Sequence, residues 1–281
     1  MNTTSYTGDR ARAFALQTGL TLLSLLFIAP LIWLALTTLL PKSAILSANP
    51  FAAWREASFD NFVRIFRDTP FAGTIWNSIV VSVVVTVIGV YIGTLGGYAF
   101  AKLRFPGRTV LFATILGTLS IPVLVTVIPN FLVMARFGLI GSLWSVILPQ
   151  LTPPLAIFWM RQYIGRAISN ELLEAARLDG LGELGIIHRI VLPLCLPGMA
   201  GLAVWLFMTS WNALLLPLAY MQDSNKATFT VFLASLMSFN AVPQTDLLVA
   251  ACFTSLLPPL VLFAFAQRRF VSGLVEGSVK G

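Results

Sequence analysis

The chain has 281 residues, of which 57% are hydrophobic and only 10% are charged. Soluble domains carry about 25% charged residues, so the composition argues against a water-soluble globular protein, and the mean hydropathy of +0.87 agrees. Intrinsic disorder is equally disfavoured, because disordered chains combine low hydrophobicity with high net charge. In a chain this apolar, the net charge of +7 indicates basic cytoplasmic loops rather than nucleic-acid binding.

Six long stretches are almost free of Asp, Glu, Lys and Arg. Each can hold the roughly 20 apolar residues that cross a bilayer as an α-helix. The sequence therefore predicts an all-α, polytopic membrane protein with six transmembrane helices, in a single domain over residues 1–281. The predicted spans are approximately 14–40, 75–100, 109–130, 139–160, 194–220 and 247–267.

Basic residues are unevenly divided between the two sides of this topology. The N-terminus, the C-terminus and the loops 101–108 and 161–193 hold 12 Lys and Arg residues, against 6 in the remaining loops. Cytoplasmic loops carry the basic excess in membrane proteins. Both termini and these two loops are therefore predicted to be cytoplasmic.

The absence of several motifs narrows the class of function. No ionisable residue lies in the interior of a predicted span, which disfavours a carrier with its own proton relay; sodium coupling through backbone carbonyls stays open. No Gly-Lys-Ser or Gly-Lys-Thr occurs, so the chain lacks a P-loop. One histidine and two separated cysteines do not predict a metal site. We predict a protein that is not an enzyme and has no catalytic residue, metal or cofactor of its own.

The second predicted span carries Gly89, Gly93 and Gly97 at intervals of four residues. Small residues at this spacing let a neighbouring membrane helix approach closely, so the stripe predicts a packing face rather than a ligand site. Prolines in or at the ends of other spans predict kinks. These are Pro122, Pro129, Pro149, Pro153, Pro154, Pro217, Pro258 and Pro259.

The predicted cytoplasmic loop between the fourth and fifth spans contains a short helix. Ser169 or Asn170 can cap its start, and Glu174 faces Arg177 at i+3. Gly180 predicts a left-handed stop with φ > 0. A chain with so few charges has little reason to place a long structured loop here unless it docks a soluble partner.

The same loop carries a family resemblance. Glu174-Ala175-Ala176, then Gly180 after three residues, then Ile190-Val191-Leu192-Pro193 after nine more, resembles the EAA loop of permease subunits of binding-protein-dependent ABC importers. Further segments resemble the second permease of carbohydrate importers of the maltose and glycerol-phosphate type, the carbohydrate uptake 1 group. They are 77–82, 98–108, 211–212, 217–218 and 267–281, and the resemblance covers roughly residues 58 to 281.

This resemblance implies a type I ABC importer permease fold in a bacterial plasma (inner) membrane. It also implies four partners besides the lipid bilayer: a sister permease that completes a heterodimer, two ATPase subunits that bind ATP and Mg, and an external solute-binding protein. No nucleic acid is expected. The ATPase-coupling residues that the motif implies are Glu174, Ala175, Ala176, Asp179 and Gly180.

Four residues are candidates for the translocation pathway, because amide and indole groups suit sugar hydroxyls and an apolar sugar face. They are Asn77, Asn130, Trp211 and Asn212. The family pattern implies that the main sugar site lies mostly in the sister permease. Two alternatives stay open: an ABC permease for a non-sugar solute such as glycerol-phosphate, a polyamine or a peptide, and a stand-alone channel or secondary carrier.

Overall fold

The computed structural model describes residues 4–265, except 48, 222, 224, 225 and 238–243, and every regular element in this part is helical. For residues 4–11 and 51 the description is of the backbone alone. The tail segment 267–281, part of the family resemblance, lies outside the described residues. The helices of the first half are α1 (Thr4–Thr37), α2 (Lys42–Ile45), α3 (Asp60–Arg67), α4 (Phe71–Lys102), α5 (Arg108–Thr118), α6 (Val123–Arg136) and α7 (Leu143–Ile147).

The second half continues the helical pattern. Its helices are α8 (Pro154–Ala167), α9 (Asn170–Leu178), α10 (Glu183–Ile186), α11 (Leu192–Leu194), α12 (Leu196–Trp211), α13 (Leu215–Tyr220), α14 (Phe229–Leu236) and α15 (Thr245–Ser255). Two 3₁₀ segments (Pro50–Glu56 and Leu148–Gln150) and one π-helical turn (Ile187–Val191) complete the elements.

Within the described residues, three helices are long and apolar enough to cross a membrane, and up to six candidate spans result when each of three bent helix pairs is counted as one. The all-α fold and the number of spans agree with the prediction. The unbroken spans are Arg12–Thr37, Phe71–Lys102 and Thr245–Phe265. The bent pairs are Arg108–Thr118 with Val123–Arg136 (101°), Leu143–Gln150 with Pro154–Ala167 (42°), and Glu183–Leu194 with Leu196–Trp211 (81°).

The bends correct the third, fourth and fifth predicted spans, which were drawn as continuous segments. Prolines stand at all three restarts: Pro122 precedes α6, Pro153 precedes α8, and Pro197 lies in the first turn of α12. Proline lacks a backbone N–H and is accommodated at the first turn of a helix, where that donor would be unpaired. The kinks predicted at Pro122 and Pro153 are therefore helix boundaries, and Pro197 marks a third boundary that was not predicted.

By Cα packing the chain divides into two compact units. The first comprises the described parts of Met1–Thr69 and Leu236–Thr254, and the second those of Pro70–Ser235 and Ser255–Gly281. The single domain over the whole chain stays a prediction.

In the first unit, polar side chains fix α3. Buried Asn61 donates from Nδ2 to the carbonyls of Thr38 and Leu40, each at 2.9 Å, and so satisfies backbone groups just beyond α1. Arg64 Nη1 lies 2.7 Å from Asp246 Oδ2, an ion pair that joins α3 to the start of α15. Buried polar groups need such partners, so these contacts fix the position of α3 within its unit.

In the second unit, α4 packs closely against α8. A methyl group on Gly97 would lie 2.6 Å from Met160 Cβ and 2.7 Å from the Arg161 amide nitrogen. A methyl group on Gly93 would lie 2.8 Å from Ala156 Cβ. Real Cβ atoms do not approach this closely, so the two backbones meet because glycine stands at these positions. The predicted packing role of the stripe is confirmed.

Candidate functional site

The start of α9 is fixed by its own cap. Ser169 Oγ accepts a hydrogen bond from the Leu172 backbone N–H at 3.2 Å, so Ser169 rather than Asn170 is the N-cap. A hydrogen bond from its own backbone amide, and then one from Ser169, lowers the pKa of the Glu171 carboxyl. A carboxylate in the first turn also suits the positive end of the helix. These interactions keep the short helix formed at its N-terminus.

The end of α9 is equally defined. Gly180 has φ of +85°, as predicted. Its N–H donates to the Arg177 carbonyl and the Leu181 N–H donates to the Ala176 carbonyl, each at 3.0 Å. This pair of bonds around a left-handed glycine is a Schellman motif. It fixes the direction in which the chain leaves the helix toward α10.

The two faces of α9 have different surroundings. Leu173 and Ala176 are 2% and 5% exposed and belong to the hydrophobic core of the second unit. The structure therefore buries Ala176, which the motif implies as a coupling residue, in the core of the second unit and not on the exposed face of α9. The remaining coupling candidates are exposed together with Leu178, which is 89% accessible: Glu174, Ala175, Asp179 and Gly180.

A three-residue polar chain joins α9 to the membrane helix α4. Arg177 Nε lies 2.9 Å from Glu183 Oε1 at the start of α10, and the hydroxyl of Tyr98 on α4 donates to Glu183 Oε2. Tyr98 is only 1% exposed, so this chain is anchored in the core. Arg177 therefore pairs with Glu183 and not with Glu174 as predicted, because the turn at Gly180 brings Glu183 within reach.

A second polar contact joins the other end of α9 to α4. Lys102, the last residue of α4, donates from Nζ to the Ile168 carbonyl and to Asn170 Oδ1. The C-terminal part of α4 therefore contacts α9 at its start through Lys102 and near its end through the Tyr98–Glu183–Arg177 chain. We name Tyr98, Lys102, Arg177 and Glu183 the coupling clamp.

The loop returns to the membrane segment through the π-helical turn. His188 Nδ1 lies 2.8 Å from the Leu184 carbonyl, and His188 Nε2 lies 3.1 Å from the hydroxyl of Tyr91 on α4. A carbonyl only accepts, so Nδ1 carries a proton, and Nε2 hydrogen-bonds with the Tyr91 hydroxyl. The only histidine of the chain is thus used to attach the turn to α4.

Two of the four pathway candidates contact the segment that leads into α14. Trp211 is 3% exposed and stacks between Phe207 and Phe229, with ring centroids 5.7 and 4.6 Å away. Asn77 donates from Nδ2 to the carbonyls of Lys226 and Ala227, at 3.0 and 3.2 Å. Both side chains therefore hold the segment that leads into α14, and the buried indole is not available to a solute.

The other two candidates make no side-chain hydrogen bond to that segment within the described residues. Asn212 is the exposed C-cap of α12, and its amide donates to the Met208 carbonyl at 2.8 Å. Asn130 is half-buried on α6, and its side-chain amide makes no hydrogen bond within the described residues. Uncharged amides of this kind can bind solute hydroxyl groups.

The described residues contain up to six candidate membrane spans, and the short helix α9, capped at both ends, lies outside them. The chain belongs to the family of binding-protein-dependent transport system inner membrane components, which matches residues 86–275.

Relatives extend over nearly the whole chain. It is 32% identical over 275 residues to the arabinooligosaccharides transport system permease protein of Halalkalibacterium halodurans, covering 96% of this chain and 97% of the relative. It is 32% identical over 261 residues to the lactose transport system permease protein of Rhizobium radiobacter, covering 93% and 94%. It is 36% identical over 211 residues to the sn-glycerol-3-phosphate transport system permease protein of Yersinia pestis, covering 75% of each.

The fold has a solved counterpart. It resembles a chain in the crystal structure of a bacterial ABC transporter involved in the import of the acidic polysaccharide alginate, with a TM-score of 0.79 and 22% identity, over 96% of this chain and 99% of that one. The predicted ABC importer permease fold is confirmed.

Proposed function

We propose that the chain is the transmembrane permease subunit of an ATP-driven importer that takes up a carbohydrate. It forms half of the translocation pore, and a sister permease forms the other half. Relatives of similar length are named for arabinooligosaccharides and lactose, which supports a sugar. The glycerol-3-phosphate relative supports a non-sugar solute as the second candidate.

The observation that carries the proposal is the coupling clamp. A movement of a partner ATPase can reach the pore through a contact that moves as a unit with a membrane helix. The clamp attaches both ends of α9 to α4 through Lys102 and the Tyr98–Glu183–Arg177 chain. Backbone contacts at Gly93 and Gly97 then join α4 to α8. A displacement of α9 is therefore passed to two membrane helices.

The exposed face of α9 is the proposed docking surface for the ATPase. Glu174 and Asp179 offer carboxylates to basic or amide groups, and Ala175 offers no side chain beyond Cβ, so a partner can approach closely. ATP and Mg belong to the two ATPase subunits. This chain contributes the docking helix and the route by which its motion reaches the pore.

The solute route is proposed to include Asn212, which is exposed, and Asn130, whose side chain has no hydrogen-bond partner among the described residues. Asn77 and Trp211 shape the route by holding the segment before α14. Asn212→Ala is expected to reduce uptake while leaving assembly intact, whereas Trp211→Ala is expected to reduce the amount of folded complex. Unchanged uptake in both Asn130→Ala and Asn212→Ala would remove the route through these residues.

The orientation follows from the proposed docking: both termini and the loop of α9 lie in the cytoplasm of a bacterial cell. A reporter active only outside is expected to work when fused after Ser47 and to fail after Gly107 or Gly180. Activity after Gly180 would place α9 on the wrong side for an ATPase.

The function itself is tested by reconstituting the chain with its sister permease, the two ATPase subunits and the binding protein in vesicles. Uptake of the sugar that the binding protein holds, identified by calorimetry on a sugar panel, is expected to stop when the ATPase is left out. Uptake without the ATPase would support a channel or secondary carrier. A binding protein that ignores sugars but binds glycerol-phosphate, a polyamine or a peptide would support the second candidate.

A further inference from the structure

A polar cavity of about 540 Å³ opens between the end of α4, the start of α5 and the face of α9 nearest to them. Basic side chains dominate its charged lining. They are Lys102, Arg104, Arg108 and Arg177, and Glu174 is the acidic residue of the lining.

Most of this positive charge has no ionic partner. Arg177 pairs with Glu183, but the other three basic side chains make no ion pair within the described residues. Lys102 and Arg108 donate to backbone carbonyls, and Arg104 is exposed. Backbone carbonyls leave the charges of Lys102 and Arg108 uncompensated, so the cavity favours an anion that can accept several hydrogen bonds at once.

The acidic groups nearby do not cancel this excess. Glu174 lines the cavity and is exposed. Glu171, on the same helix, interacts electrostatically with Lys102 and is also exposed. Three basic side chains without a salt bridge within the described residues therefore surround one lining carboxylate. Glu171 adds a second, exposed acid near Lys102, and positive charge remains in excess.

The position of the cavity relates it to the membrane surface. α5 begins at Arg108 and then exposes Val110 (70%) and Leu111 (52%), at the start of a candidate span. The cavity therefore lies where the apolar surface of α5 starts, at the level of lipid headgroups. Under the proposed function this is the cytoplasmic side, where membranes carry their anionic lipids.

We propose that this cavity binds the headgroup phosphate of an anionic phospholipid, whose acyl chains run along the apolar surface of α5. A free phosphate would meet the same basic groups but would gain nothing from Val110 and Leu111. A carboxylate of the ATPase would approach from the side of α9 that exposes Glu174, where it would meet a like charge. The lipid thus fits both the charge and the adjoining apolar surface.

The test uses the complete importer in nanodiscs of phosphatidylcholine with and without phosphatidylglycerol, and measures phosphatidylglycerol retained per complex by native mass spectrometry. The variant is Arg104→Gln with Arg108→Gln. Its matched control is Arg166→Gln with Arg189→Gln, which removes two exposed basic charges outside the cavity lining. Each charge lost from the cavity is expected to lower the association constant roughly fivefold. The control is expected to match the wild type, and Arg104→Lys with Arg108→Lys to restore most of the retention.

Three results would overturn the proposal. Equal phosphatidylglycerol retention in the Gln variant and the wild type would mean that the cavity holds no lipid. Displacement of the lipid by millimolar inorganic phosphate would assign the cavity to a soluble anion. Loss of the ATPase from the Gln variant with lipid retention unchanged would assign it to the protein interface. Loss of ATP-dependent uptake in every disc, with lipid selectivity intact, would count against the proposed function alone.

Discussion

The contact between α4 and α8 allows a sharp test, because it depends on one missing methyl group. In Gly97→Ala the new Cβ would meet Met160 Cβ at 2.6 Å, the Arg161 amide nitrogen at 2.7 Å and the Met160 carbonyl carbon at 2.8 Å. Favourable carbon contacts lie at about 3.5–4.0 Å, so the helices must separate by roughly 1 Å. Two of the three atoms are backbone, and no rotamer change relieves them.

The magnitude follows from two opposing effects. Overpacking costs about 1–3 kcal/mol, and this rigid clash belongs at the upper end of that range. Alanine in place of glycine inside a helix gains about 1 kcal/mol. The net expectation for Gly97→Ala is a loss of roughly 2 kcal/mol, or about 30-fold in the folding equilibrium.

The neighbouring glycine supplies the control. A methyl group on Gly96 would approach atoms of the Ile157 side chain alone, the nearest at 3.1 Å, and that side chain can shift. Unfolding of the two variants in mixed micelles with increasing denaturing detergent, followed by tryptophan fluorescence, measures the difference. We expect Gly97→Ala to unfold at lower detergent than the wild type and Gly96→Ala to remain close to it. Equal midpoints for Gly97→Ala and the wild type would refute the close backbone contact between α4 and α8. They would also refute the proposal that a displacement of α4 is passed to α8.

Three further expectations concern the coupling loop and the first unit. Gly180→Asp places a side chain at φ of +85°, at a cost of about 1 kcal/mol. The variant is expected to insert normally but to retain less ATPase on copurification. Gly182→Asp is the control, because Gly182 has φ of −73° and open space around it. Tyr98→Phe removes a hydrogen bond to a carboxylate, usually worth about 1.5–3 kcal/mol, and is expected to leave ATP hydrolysis running while uptake falls; uptake in step with hydrolysis would contradict the clamp. Asp246→Asn weakens the ion pair with Arg64, whose side chain is 37% exposed. The variant is expected to lose about 1–2 kcal/mol of stability in the unfolding assay. The effect is expected to be absent when Arg64 is already replaced by Gln.

Local features of the sequence predicted the local structure well. The left-handed turn at Gly180 and the close packing at Gly93 and Gly97 both follow from the absence of a β-carbon, which is readable from one residue and its spacing. Ser169 was one of two candidate caps, and only the backbone geometry could select it.

Contacts between distant residues were harder to predict. Glu183 contacts both Arg177 and Tyr98. Tyr98 lies 85 residues before Glu183 in the chain, so no local spacing indicates the contact between these two residues. The burial of Ala176 depends on which face of α9 packs against the core, and a helix of nine residues with a mixed pattern leaves this open. Trp211 was predicted to line the solute route because of its chemistry, whereas its aromatic neighbours decide its burial.

The bends had a similar cause. A stretch without charges shows that a segment is apolar, but it does not show whether the helix is continuous across it. Pro122 and Pro197 were adjacent to breaks of 101° and 81°, whereas Pro129 lies inside the continuous helix α6. Whether a proline ends a helix depends on whether neighbouring groups satisfy the freed carbonyl, and this is a tertiary property.

The central claim is that the partner ATPase docks on the exposed face of α9. Leu178, 89% exposed at the end of this helix, is the position to test. The control is Phe59, which is also well exposed (71%) and lies on the predicted opposite side of the membrane. Each is replaced by cysteine in the assembled importer and treated with a short thiol-to-amine crosslinker; the native Cys195 is buried and Cys252 half-buried, which keeps the background low. We expect Leu178→Cys to form a crosslink with the ATPase subunit and Phe59→Cys to form none. A crosslink from Phe59→Cys, or none from Leu178→Cys in a complex that still hydrolyses ATP, would contradict the account.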